Sequence, residues 1–249
     1  MRIPSEEEAR KFLANASFLW HQQFELAPGV PTPGVNPIAT LLEMSGFPDD
    51  LRGQSVLDIG TTNGAVAFEA ERRGAERVVA VDIYDPDHFG FAALRDLFES
   101  RAEFVNCSVY ELHEVVDETF DVVVFWGVLY HLRHPLLGLD VVRRLARDLV
   151  LLETAVSDAR DGSTEPTARF HRLDDLGGDG SNWWTPTTTA LDAWCRSAGF
   201  TVESRQGTPE DAPSRCMARL RVVPGPPEYL RVSYEQPPEY ASRDSKPVG

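Results

Sequence analysis

The stretch VLDIGTTNGAVAFEAERRGAERVVAVDI, Val56–Ile83, decides the fold. A short apolar run ends in an acid and a glycine turn. A helical pattern follows, and a second apolar run ends in another acid. This is the strand–turn–helix–strand unit of a parallel, doubly wound sheet, whose turn commonly holds a nucleoside-bearing ligand. A dinucleotide fingerprint G-x-G-x-x-G would need glycine at 60, 62 and 65, but the residues are Gly60, Thr62 and Ala65. A β-branched Thr62 at the middle position argues against NAD or FAD, whose pyrophosphate needs close backbone approach. The spacing D-x-G-x-x-x-G is met instead, by Asp58, Gly60 and Gly64, and Asp82 stands where a carboxylate meets a ribose diol. A ligand with a ribose, a cationic centre and no pyrophosphate suits such an acidic pocket. S-adenosylmethionine fits that description, with Asp58 facing its positively charged amino-acid end. The plainer reading is that Gly60 and Gly64 only make a tight turn.

Outward from this unit, apolar runs at SVLDIG, RVVAVDI, AEFVNC, FDVVVFW and LVLLET alternate with helical patterns at about 65–73, 91–99 and 135–147. Their near-continuous apolar character suits strands buried on both faces. FTVESRQ and RCMARLRVV read as a hairpin closing the sheet, after a helix around 188–198. Ser5 and Glu8 form a capping-box pattern, predicting a first helix that runs to about Phe24. The proline- and glycine-rich ELAPGVPTPGVNP then makes a loop, and a short helix occupies about 37–44. These readings divide the chain into a helical cover (1–50), a Rossmann-like α/β domain (51–223) and a proline-rich tail with two PPEY copies (224–249). A polar, glycine-rich insertion at 157–181 has the character of a lid.

The formal net charge is −15, and all but Lys11 and Lys246 of the 24 basic residues are arginines. Nucleic-acid affinity rests on cations neutralising phosphates, so this balance argues against a polyanionic partner. Cys107, Cys195 and Cys216 lack the paired spacing of a zinc or redox site and read as free thiols. The acids Asp174, Asp175 and Asp179 read as a solvated loop, and no metal is expected. Nothing has the length of a membrane helix and the first residues lack a signal-peptide core, so the expectation is a cytoplasmic protein. The sequence is compatible with a homodimer and does not fix the oligomeric state.

A second stretch, FDVVVFWGVLYHLRHPL, Phe120–Leu136, places an aromatic-histidine loop after the fourth strand, at the edge where open α/β sheets bind ligands. Together with LLET, NWWTPT and AGF, in that order, and with the early ELAPGVPTPG, it resembles the class I S-adenosylmethionine-dependent methyltransferases. Within them it is similar to the branch of the tRNA wobble-uridine carboxymethyltransferase and its small-molecule relatives, from about Trp20 to Val223. The resemblance implies a seven-stranded sheet whose last strand is antiparallel. It also implies that Asp58, Gly60 and Gly64 form the cofactor turn and that Asp82 and Ile83 lie at the ribose. Ser108 and Val109 would lie along the adenine, Trp126 would line the pocket, and Tyr130 would sit near the methionine-derived end. Thr61 and Thr62 replace the family's usual Cys-Gly, and a threonine hydroxyl can bond the cofactor carboxylate. The carboxymethyl-transferring enzyme uses a lysine before an F-x-L motif, whereas WHQQFEL has none. Arg215 is a loose match for a second family cation.

Methyl transfer is an in-line displacement on an activated carbon, so positioning dominates and a base matters only if the acceptor must lose a proton. His131 is the candidate base, with loop shaping as its alternative role, and His21 comes next, read more as a packing or acceptor-contacting residue. His134, before Pro135, reads as structural. Trp20, Trp183, Trp184 and Arg133 are candidates for contacting the acceptor, although adjacent tryptophans on one strand face opposite ways, so one of the pair is expected in the core. Glu153 can bond backbone or substrate. The expected reaction is methylation of an oxygen or nitrogen of a small molecule, in specialised metabolism. The alternatives are a tRNA wobble-uridine modifier and an inactive cofactor-binding subunit.

Overall fold

The structure is a computed structural model that describes residues 1–157, 165–207 and 215–227. Helix α1 (Glu6–Asn15) opens on the expected capping box between Ser5 and Glu8, and α2 (Ile38–Ser45) ends on left-handed Gly46. The α/β domain then runs β1 (Ser55–Ile59), α3 (Ala65–Arg72), β2 (Arg77–Asp82), α4 (Phe91–Phe98) and β3 (Glu103–Asn106). It continues with α5 (Leu112–Val115), β4 (Phe120–Trp126), α6 (Pro135–Leu145), β5 (Ala146–Ala155), α7 (Thr188–Ser197), β6 (Phe200–Gly207) and β7 (Arg215–Val222). Seven strands form one sheet in the order β6-β7-β5-β4-β1-β2-β3. The pairs among β1 to β5 are parallel, and β7 runs antiparallel to both β5 and β6. The Rossmann-like α/β fold and the closing hairpin are therefore as expected. Strand order reverses between β1 and β4, the switch point at which such sheets bind ligands.

Alternation along the strands divides the core into two layers. Val56, Ala80, Val122, Val124, Leu149 and Leu151 pack on one face, under the N-terminal segment and α3. Leu57, Ile59, Val79, Val123, Phe125 and Val150 pack on the other, against α6 and α7. Asp58 pairs with Ala80 and Val124, Trp126 lies two residues beyond Val124, and Glu153 pairs with Trp126. Glu153 also pairs with Met217, two residues from Arg215. Asp58, Asp82, Trp126, Glu153 and Arg215 thus share the parity of the face that carries the N-terminal cover.

The cover departs from the sequence reading. α1 ends at Asn15, not near Phe24, because Ala16 turns extended and the backbone beyond is taken by another element. Asn63, fully buried in the turn after β1, accepts from the N–H groups of His21 and Gln22, both at 2.8 Å. Its amide donates to the carbonyls of Leu19 at 2.9 Å and Phe89 at 2.6 Å. A helix through these residues would have to give up all three cover contacts. The aromatic side chains intended for the helix stack instead as a chain, with Phe12 on Phe18, Phe18 on Trp20 and Trp20 on Phe24. The proline-rich loop is ordered. Thr32 donates to the Gln22 carbonyl at 2.7 Å and accepts from Phe24 N–H, and Gln22–Gln23 pairs with Asn36–Pro37.

The insertion folds back on itself, with Ala168–Phe170 antiparallel to Trp184–Pro186. Most of the PPEY-containing tail, and residues 158–164 of the insertion, lie outside the described residues. Among the described residues no helix is long and apolar enough to cross a membrane.

Replacing Asn63 by Ala removes four buried or part-buried hydrogen bonds and strands their backbone partners. The expected loss of stability is about 3 kcal/mol. Urea denaturation would measure it, and limited proteolysis should show faster cleavage between residues 16 and 37. A loss below about 0.5 kcal/mol with unchanged proteolysis would remove the assigned tether role.

Candidate active site

The turn after β1 is built from backbone bonds to the end of β2. Gly60 and Thr61 donate to the Val81 carbonyl at 2.8 and 3.0 Å, and Gly64 donates to the Thr61 carbonyl before opening α3. Gly60 has φ +81°, and a Cβ there would lie 2.5 Å from Val128 of the turn after β4. The two turns therefore touch at the switch point, which only glycine permits. Thr62 also lies in the left-handed region, at φ +47°, where a β-branched residue is strained. Its N–H is held by the Asp82 carboxylate at 2.9 Å, and its buried hydroxyl has no partner. The threonine thus keeps the backbone shape of the missing glycine and adds a buried hydrogen-bonding group.

The two acids flank this turn. Asp58 is 3% exposed and accepts from the Thr61 hydroxyl at 2.6 Å. Burial pushes its carboxyl up to about 7, with the negative charge of Asp82 adding to the shift. Burial also raises Asp82, against hydrogen bonds from the N–H groups of Tyr84 and Thr62. Neither acid has a Lys or Arg partner within ion-pair distance among the described residues. Two buried acids without a counter-cation form a site that a positively charged ligand completes. The Thr62 hydroxyl and the Nε1 of Trp126 are both buried and without a partner. These features fit S-adenosylmethionine, with its cationic sulfonium and ammonium groups. Ile83, beside Asp82, is 71% exposed and offers an apolar surface. Ser108 and buried Val109 follow β3, in a turn tied to β2 by the Cys107 N–H on the Asp82 carbonyl at 3.1 Å.

The turn after β4 supplies the other half. Tyr130 and His131 lie on one 3-10 turn, Leu129–His131. Arg215 from β7 lies over the Tyr130 ring, 4.7 Å from its centre. Glu153 grips the same guanidinium bidentately, through Nε and through Nη2 at 2.5 Å, and also accepts from Gly127 N–H at 3.0 Å. Glu153 therefore serves backbone and Arg215, and Arg215 is built into the site. Burial pushes the His131 ring below the ordinary histidine range, with Arg215 and His21 lowering it further against Ser181 and Asp179. His21 is lowered by burial and by Arg215, with Asp82 opposing. His21 thus feels Arg215 and Asp82, His131 feels Arg215 and His21, and both histidines are neutral near pH 7.

Other candidates are placed differently. Trp20 packs between Phe18 and Phe24 in the cover. Arg133 lies over the neighbouring rings of Phe170 and Trp183, 4.9 and 5.0 Å from their centres, a cation–π arrangement. Neither tryptophan is in the core. Both are half-buried against Phe170, because Trp183 precedes the strand that begins at Trp184 and alternation does not apply across the pair. His134 is structural, its N–H donating to the Tyr110 hydroxyl at 2.8 Å. Sequence reasoning missed Asn63 and Gln22. The Gln22 side chain accepts from Ala65 N–H at 3.0 Å, taking a free donor at the start of α3. The only available signal was a polar Asn in an otherwise small-residue turn.

The methyltransferase domain family matches residues 20–205. The tRNA U34 carboxymethyltransferase of Azotobacter vinelandii is 37% identical over 161 residues, 63% of this chain and 48% of the relative. That of Idiomarina loihiensis is 30% identical over 61% of this chain and 47% of its own. The chain thus spans about half the length of these curated relatives. Among solved structures, the N-terminal domain of EvdMO1, crystallised with SAH and D-fucose, aligns with a TM-score of 0.64 at 17% identity, covering 89% of this chain and 98% of that one. The 1,6-didemethyltoxoflavin-N1-methyltransferase of Burkholderia thailandensis aligns at 0.56 and 24% identity, over 74% and 76%. Both likenesses are of fold.

Two predictions follow from the acid pair and Thr62. A cation seated beside Asp58 lowers its pKa from about 7, so S-adenosylhomocysteine or S-adenosylmethionine binding near pH 6.5 should release a proton. Calorimetry in buffers of different ionisation enthalpy reads this directly, and Asp58→Asn should abolish it; proton uptake in the wild type would contradict the assignment. Thr62→Gly relieves a left-handed threonine that costs roughly 1 kcal/mol, so thermal stability should hold or rise. Affinity for the homocysteine product should fall about fivefold through loss of the hydroxyl bond. Unchanged affinity would make the threonine a bystander.

Proposed function

Because this chain belongs to the methyltransferase domain family, we propose that it transfers a methyl group from S-adenosylmethionine to an oxygen or nitrogen of a small molecule. When bound, that cofactor supplies a methyl carbon activated by a sulfonium. The protein's part is to hold the cationic amino-acid end against Asp58 and the ribose hydroxyls on Asp82, and to bring an acceptor to the turn carrying Tyr130 and His131. Neutral His131 takes the acceptor's proton as the new bond forms.

The observation that carries the choice of a small acceptor is how the arginines are used. Arg215 is held by Glu153, and the exposed Arg2 and Arg147 and the half-buried Arg77 and Arg221 are each paired with carboxylates. The formal net charge of −15 also weighs against a phosphate-rich partner. The apolar and aromatic surroundings of Arg133, Phe170 and Trp183 suit a compact, partly planar acceptor. A place in specialised metabolism and in the cytoplasm belongs to the same proposal.

The similarity to tRNA U34 carboxymethyltransferases supports a second reading, transfer to a wobble uridine. The lysine-free Trp20–Leu26 segment and the engaged Arg215 weigh against it.

Incubation with methyl-labelled S-adenosylmethionine and panels of phenols, amines and sugars should give labelled product, while bulk tRNA should stay unlabelled. Filter binding of tRNA should be weak even at low salt, and strong, salt-sensitive retention with labelling would favour the second reading. His131→Gln should lower kcat about a hundredfold for acceptors that lose a proton. The acid limb of the wild-type kcat/KM profile should lie below the ordinary histidine value, since burial favours the neutral ring and the base is active when neutral.

A further inference from the structure

The insertion reaches the site through residues 181 to 183. Trp183 N–H donates to the Tyr130 carbonyl at 2.8 Å, which pins the insertion's end to the turn carrying His131. Two residues earlier, the Ser181 hydroxyl lies 2.9 Å from His131 Nδ1, and the Ser181 carbonyl lies 3.3 Å from the same nitrogen. On its other side the Ser181 hydroxyl lies 2.6 Å from the Asp179 carboxylate, which also accepts from Ser181 N–H at 2.9 Å.

Hydrogen-bond bookkeeping fixes the protons in this chain. An ionised carboxylate can only accept, so the single hydroxyl proton of Ser181 goes to Asp179. The Ser181 oxygen then offers His131 only lone pairs, and its carbonyl offers the same. Nδ1 faces two acceptors and must carry the hydrogen. From this geometry we propose that Ser181 and Asp179 are positioning residues that hold neutral His131 as its Nδ1–H tautomer and leave Nε2 unprotonated toward the acceptor. This deepens the function proposed above and rests on it for the identity of the proton donor. An acceptor O–H or N–H gives its proton to Nε2 as its electron pair forms the bond to the methyl carbon, and the sulfur keeps the pair of the bond that breaks. The imidazolium produced still donates from Nδ1 to Ser181, so the relay needs no rearrangement during the step.

Other groups around His131 support this direction. Tyr130 on its own turn has its ring centre 4.1 Å from the imidazole. Arg215 from β7 and His21 from the cover both disfavour the charged ring, and Asp179 favours it. Ser181's hydrogen bonds hold Asp179 below the usual carboxylate range, so it is ionised and purely an acceptor near neutrality. Both Asp179 and Ser181 are exposed, so their contribution is orientation and tautomer choice more than charge.

Long-range proton–nitrogen NMR on the full chain with labelled histidine, at pH 7.5, tests this without substrate. The His131 signal is assigned by its loss in His131→Gln. Expected in the wild type is a protonated Nδ1 and a bare Nε2, shifting toward Nε2–H in Ser181→Ala and in Asp179→Ala, with Ser181→Thr restoring the wild-type pattern. An Nε2–H tautomer in the wild type, or an unchanged pattern in both alanine variants, overturns the proposal. With a methylated acceptor in hand, Ser181→Ala should lower kcat about tenfold and leave S-adenosylhomocysteine affinity unchanged; an unchanged kcat overturns the catalytic half. Asp179→Ala should move the acid limb to lower pH. If the tautomer is as stated and no acceptor is methylated, the relay stands and the functional reading fails.

Discussion

Two glycine turns meet where the sheet reverses its strand order, and at Gly60 there is no room between them for a methyl group. That contact sets the whole site. It brings the acid-flanked turn after β1 against the turn that carries Tyr130 and His131. Register then decides which side chains appear, because the five groups that matter share one parity on five different strands or strand ends. A one-residue slip in any of them would send its polar group into the α6–α7 layer.

The sheet and its switch point were legible in the sequence because buried parallel strands leave long apolar runs and because Asp58, Gly60, Gly64 and Asp82 have a characteristic spacing. The GVLYH loop was legible for the same local reason. What could not be read was tertiary. The reach of α1 was overestimated because its aromatic spacing continues past Asn15, whereas the termination comes from Asn63, more than forty residues away. The engagement of Glu153 with Arg215 joins residues 62 positions apart, and neither one's sequence neighbourhood announces it. The placement of Trp183 and Trp184 failed for a smaller reason, a strand that begins one residue later than the alternation argument assumed.

The acid pair shows how a binding site opposes its own fold. Two buried carboxylates without a Lys or Arg ion pair among the described residues are costly when both are ionised, and Asp58 answers by holding a proton near neutrality. Thr62, with its left-handed backbone and idle hydroxyl, adds a second local cost. Such costs persist only where the surroundings over-determine the conformation, and here the surrounding bonds to Val81 and Asp82 do so. They are the costs that a cationic ligand with a carboxylate end would relieve.

Asn63 carries a last consequence. Its side chain is at once part of the turn after β1 and the clasp on residues 19–22, so turn and cover are one thermodynamic unit. Free energy that stiffens the turn must tighten the clasp, and free energy that lifts the cover must loosen the turn by the same factor. Turn and cover, some forty residues apart in the chain, are thereby joined through one side chain.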